Sequence, residues 1–243
     1  MKKTYIILVT IAAVTLLVYS LLPKKIFEEV VFPMDDSISV LGYDDSTDGG
    51  ESVAHLVSSD SAISFDCKLG TDTTKSAWCG LLWNMDPAGN KLYRNWTFVD
   101  SLIFDVDAEG TNEVLLKLWT YDPDVTDVTK ARTFRLLMKE MPLRKGRQRV
   151  SIPMDHLYTP DFWYETSGAN RELTSRHQET VARLEIAPGW NQARGKKFTV
   201  KFYSAKAIGV SNVAFGVVLF IFLILTIVAV GRRHQNKNDV EKN

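Results

Sequence analysis

Residues that carry chemistry are scarce in this chain. There are two cysteines, Cys67 and Cys79, and four histidines, His55, His156, His177 and His234, none at a metal-ligand spacing. No serine or cysteine stands in a nucleophile-elbow context, so hydrolysis through an activated nucleophile has no support. Net charge is absent too, but only as an average. Residues 26–206 hold 27 acidic against 21 basic side chains, a net of −6, which excludes nucleic acid as a natural partner. No internal repeat, low-complexity segment or long helical stripe occurs between the two ends.

What is abundant is apolar sequence at the termini. Thr4 to Leu22 is uncharged and follows Lys2 and Lys3, the pattern of a signal peptide or of an uncleaved signal anchor, and the lack of a small-residue cleavage site in "YSLLPKK" favours the anchor. Ile208 to Gly231 is also uncharged, and Arg232, Arg233 and His234 follow it at once. The positive-inside rule puts both ends in the cytoplasm, with Lys24 and Lys25 dissenting. The expected organisation is an N-terminal anchor over residues 1–25, an extracytoplasmic domain over 26–206, a second span over 207–231 and a short tail over 232–243. The lipid bilayer is thus one partner.

Between the spans the signal is short alternation. "SAISFDCKL" puts Ile63, Phe65, Cys67 and Leu69 on one face, "VDSLIFDVD" does the same for Leu102, Phe104 and Val106, and "NEVLLKLWTY" for Val114, Leu116 and Leu118. Later runs repeat the form, with turn clusters such as "DPAGN", "DAEGTN" and "YDPDVTD" between them. About eight to ten short strands predict an all-β, antiparallel sandwich or jelly roll. "GYDDSTDGGES" reads as a mobile acidic loop. The base-rich run Lys130 to Arg149 reads as the partner of the acid-only stretch Glu28 to Asp66.

Candidate sites are few. Cys67 and Cys79 either staple a hairpin as a cross-strand disulfide or remain buried thiols. Asp35 and Asp36 form a weak candidate for calcium, against a solvated turn. The opposite face of "NEVLLKLWTY" carries Lys117, Trp119 and Tyr121, where rings could stack on the apolar C–H face of a sugar and the ammonium could bond its hydroxyls. Arg135, on the next basic strand, is added to that set by strand parity.

Taken in order, "ISFDCKLG…AWCGLLWNM", "WTFVDSLIFDVDAEGTNEVLLKLWTYDP", "TFRLLMKEMPLRKGRQRVSIPMDHLYTPDFWYE", "VARLEIAPGW" and "FTVKFYSAKAIG" resemble the galactose-binding-like jelly-roll modules of bacteria. These include carbohydrate-binding modules and extracytoplasmic input domains of membrane-bound sensors. The resemblance covers Ser61 to Gly209. It implies binding of a carbohydrate or similar polyol as input to signalling; joined to the two spans, the expectation is a non-enzymatic module in the bacterial inner membrane, its main domain periplasmic or extracellular. It also implies that Ile152 to Trp163 is a corner of the fold, with Asp155 capping a short turn and Phe162 and Trp163 closing one end. With "GRRHQNKNDVEKN" after the second span, a signal is expected to pass through a membrane signalling partner or through that short tail. The rival expectation is a structural or assembly subunit of a cell-envelope complex.

Overall fold

In the computed structural model, which describes residues 2–21, 26–210 and 213–240, the alternating segments become eleven strands. They are β1 (Ile26–Phe32), β2 (Ser39–Asp44), β3 (Val53–Ser59), β4 (Ala62–Lys68), β5 (Cys79–Asn84) and β6 (Val99–Glu109), then β7 (Glu113–Thr120), β8 (Arg135–Pro142), β9 (Gly146–Pro153), β10 (Val181–Pro188) and β11 (Lys197–Val210). Three helices complete the set: α1 (Lys2–Leu21), α2 (Asp161–Ser167) and α3 (Val213–Val240). Two antiparallel sheets form a β-sandwich. One has the order β3-β4-β11-β6-β9, with β1 also on β11, and the other runs β2-β5-β10-β7-β8.

Period-two burial assigns the faces. Ile63, Phe65 and Cys67 of β4, Leu102, Phe104 and Val106 of β6, and Val114, Leu116 and Leu118 of β7 all enter one core. Trp83 and Phe104 meet there through Phe202, which packs edge-on to both rings. The Cys67–Cys79 bond is present, with the Cα atoms 6.4 Å apart. It does not staple a hairpin: β4 and β5 belong to different sheets, so it ties the two layers together.

Several expectations are corrected. The stretch read as a mobile acidic loop begins on β2 and turns through a short 3-10 helix at Asp45–Asp48. Asp45 is buried, accepting from the Ser52 N–H and hydroxyl at 2.8 and 2.6 Å and from the Trp78 N–H at 3.1 Å. Burial acts to raise the pKa of this carboxyl, but those hydrogen bonds outweigh it and hold it below the usual range. The basic run does not meet the acidic stretch either. Arg147 pairs with Asp105 and Arg135 with Asp122, while Glu28, Glu29 and Asp66 take Lys206, Arg94 and Lys197. The N-cap position of the turn Met154–His156 is Pro153, and Asp155 lies inside the turn rather than capping it. Trp163 does not close an end; it packs α2 onto the outer side of β8 beside Leu136 and Met138, its indole N–H donating to the Phe134 carbonyl at 2.7 Å.

The terminal segments form a compact unit separate from Phe27–Gly209. Within it α1 and α3 pack together, with Tyr19 and Phe215 rings 6.2 Å apart. Among the described residues one helix, over Val213–Arg232, is long and apolar enough to cross a membrane, with a mean hydropathy of 3.2. The apolar part of α1, Tyr5–Leu21, belongs to a shorter class, so two spans were expected and one is supported. Lys24, Lys25 and residues 241–243 lie outside the described residues.

Candidate functional site

The outward side of the five-stranded sheet is where function concentrates. Residues of β2, β5, β10 and β7 that point away from the core form its floor, α2 rises along one side, and the turns before β5 and after β10 supply the rim. Together they enclose a groove of about 730 Å³, within the range usual for ligand sites.

The floor is organised by Glu185 on β10. Register places it opposite Leu82 of β5 on one side and Lys117 of β7 on the other. Its Oε1 accepts from Lys117 Nζ at 2.7 Å and from the Tyr43 hydroxyl, and its Oε2 accepts from the Trp119 indole N–H at 2.6 Å. One carboxylate thus fixes three side chains from β2 and β7. Such charge-assisted bonds are the strong ones, and at 5% exposure this carboxylate depends on them. The Tyr43 phenol is pushed far above its ordinary pKa, first by burial and then by the neighbouring Glu185 charge. Gly80 opposite Tyr43 makes this possible, because a Cβ there would overlap the phenol ring.

Aromatic faces line the walls. Trp78 lies 5.7 Å from Tyr43, ring centre to ring centre, and its backbone N–H is held by buried Asp45. At the rim, Phe162 of α2 and Trp190 pack edge-to-face at 6.4 Å, with Trp190 59% exposed. Trp190 is oriented by its backbone N–H on Glu113 and its indole N–H on Glu140.

Of the four ligand residues expected from sequence, Lys117 and Trp119 line this groove and the other two do not. Tyr121 lies beyond the end of β7, its backbone N–H on the Thr180 carbonyl and its ring stacked on Tyr93 at 5.4 Å. Arg135 is 1% exposed. Its Nε and Nη2 donate to Asp122 Oδ2 at 2.9 and 2.7 Å, and its guanidinium stacks on Trp163 at 4.6 Å. It stands at the first position of β8, across from Thr120 at the end of β7, and does not line the groove. Glu185, Tyr43 and Trp78 escaped sequence reasoning.

No cluster of three or more His, Cys, Asp or Glu side chains able to hold a metal occurs among the described residues. Asp35, the calcium candidate, instead accepts from the Ser37 N–H at 2.9 Å within its own turn.

No family model and no curated protein matches the chain. Solved structures similar to it include a family 11 carbohydrate-binding module from Clostridium thermocellum in complex with a β-1,3-1,4-mixed-linked tetrasaccharide, at 13% identity and TM-score 0.49 over 75% of this chain and 95% of that one. A family 11 module of a cellulosomal cellulase from the same organism gives 12% identity and TM-score 0.48, over 77% and 96%. A low-affinity xylan binding module from Roseburia intestinalis gives 12% identity and TM-score 0.36, over 78% and 98%. Likenesses of this degree assign no residue, ligand or activity to this chain.

Proposed function

We propose that the sandwich is a non-catalytic saccharide-binding module held at a membrane by α3, with the groove over Glu185 as its binding site. The observation that carries this reading is the union of flat rings at several positions, Trp78, Trp119 and Trp190 among them, with a floor whose polar groups are fixed before any ligand arrives. Sugar rings present apolar C–H faces that stack on indoles, and a preorganised floor spares the ordering cost of binding. Binding without turnover is supported by the lining itself. Glycoside cleavage commonly needs two carboxylates across the scissile bond, and among the described residues Glu185 is the one carboxylate lining the groove, already engaged by three donors.

In this reading residues 26–206 are the module, 207–231 the span, 232–243 a cytoplasmic tail and 1–25 a second anchor. The disulfide supports a periplasmic or extracellular location, since such bonds persist in oxidising compartments. A sensory role would pass through a membrane partner.

Titration calorimetry of the full chain in detergent micelles against glucan, xylan, galactan and uronan oligosaccharides tests the proposal. Binding that weakens at least tenfold in Trp119→Ala and in the exposed rim variant Trp190→Ala is the expected result. A folded protein that binds none of them overturns it and leaves the envelope-assembly role.

A further inference from the structure

The charges of the groove are one-sided. The ionisable side chains lining it, tyrosine apart, are Lys117, Arg132, Arg183, Arg194 and Glu185, four cations against one anion, within a domain whose net charge is −6. Lys117 is neutralised by Glu185, and Arg194 is used to hold the turn before β5 through the carbonyls of Asp72 and Lys75. Arg132 and Arg183 remain. Among the described residues neither makes a hydrogen bond or an ion pair through its guanidinium, and Arg183 has only the face of Phe134 beneath it, at 4.3 Å.

Placement makes the two useful together. Arg183 stands directly opposite Trp119 in the β10–β7 register, on the same outward face. Leu136 of β8 stands opposite Trp119 on its other side, and Arg132 lies in the turn that leads into β8. Arg183 therefore borders the Trp119 platform, and Arg132 lines the same groove. Burial also lowers the pKa of Arg183, an effect that nearby Glu185 and Tyr93 offset only in part.

The hydrogen-bond inventory points the same way. A neutral sugar brings hydroxyl donors that need acceptors, yet the one carboxylate of the lining already receives Tyr43, Lys117 and Trp119, which leaves uncharged groups such as the Gln192 amide oxygen and the Thr166 hydroxyl as the remaining side-chain acceptors. What the groove offers in surplus is guanidinium donors, whose fork matches a carboxylate or sulfate in bidentate fashion. We infer that the groove selects acidic saccharides, with a ring stacked on Trp119 and its anionic group taken by Arg183 and Arg132. This rests on the saccharide-binding reading above and narrows its ligand class.

The test uses the full chain in micelles and matched pairs on one backbone: oligogalacturonate against its methyl ester, oligomannuronate against manno-oligosaccharide, and a sulfated galactan oligosaccharide against its desulfated form. The expected result is that the acidic member of at least one pair binds tenfold or more tighter, that added salt erodes this preference, and that Arg183→Gln brings the two members of that pair to within twofold of each other. Should Arg183→Gln fail to fold, the exposed Arg132→Gln gives the same readout. Preference within the uronate pairs assigns a carboxylate, and preference within the galactan pair alone assigns a sulfate ester. Neutral members that bind as well as acidic ones overturn the inference and leave the saccharide reading standing. A folded protein that binds no member of any pair overturns both.

Discussion

Lys117 and Glu185 face each other across β7 and β10 with 2.7 Å between Nζ and Oε1, and their side chains are only 20% and 7% exposed. An ion pair so placed is a fixed part of the groove floor. Glu185→Gln keeps the shape but leaves the Lys117 ammonium uncompensated and turns part of the acceptor into a donor facing Trp119 or Tyr43. The expected cost is about 1–3 kcal/mol of stability, read as a lower urea midpoint, together with a loss of saccharide affinity larger than that of Lys117→Met.

Tyr43 ties that floor to alkaline pH. Its folded-state pKa is raised by burial and by Glu185, so the folded state keeps the phenolic proton where the unfolded chain, with a pKa of about 10, releases it. The stabilisation is complete below pH ~10 and falls as pH rises above that value. In a titration followed by phenolate absorbance, one of the eight tyrosines should ionise only as the protein unfolds, and Tyr43→Phe should abolish that late step.

Arg135 and Asp122 test the opposite role for a charged pair. Both are 1% exposed or less, so removing one partner strands the other. Asp122→Ala or Arg135→Ala should each destabilise by about 3–5 kcal/mol, whereas Arg135→Met combined with Asp122→Leu should recover most of the loss. Saccharide affinity in the double variant should stay within a few-fold of the parent, because neither side chain lines the groove.

The bond between the two layers makes a fourth prediction. Cys67 and Cys79 close a loop of 12 positions, and cross-links of that size contribute about 2–4 kcal/mol by restricting the unfolded chain. Treatment with a strong reductant, or the pair Cys67→Ala and Cys79→Ala, should lower the denaturation midpoint accordingly. Trp78 immediately precedes Cys79 and should lose near-ultraviolet ellipticity at the same time.

Strand existence and facing were legible wherever one side of a strand is apolar and the other is not, as in β4, β6 and β7. Parity also placed Lys117 and Trp119 outward correctly. It failed for Tyr121 because β7 ends at Thr120, and for Arg135 because β8 is covered on both sides, so that alternation carries no direction there. Glu185 looks like an ordinary strand acid in "RLEIAP". Its meaning comes from Tyr43 and Lys117, 142 and 68 positions away, and no local pattern reports such a meeting.

The order of the sheets bears on how the molecule is made. β10 and β11, the last two strands in the chain, occupy interior positions: β10 between β5 and β7, β11 between β4 and β6. A nascent chain emerging from the ribosome therefore carries two split sheets whose inner edges stay unpaired until the last strands are produced: those on β5 and β7 until β10 (Val181–Pro188), those on β4 and β6 until β11 (Lys197–Val210). Open edges of that kind recruit other strands. The growing chain needs either rapid completion or a chaperone at those edges, and a truncation before Val181 would yield an aggregating fragment rather than a smaller module.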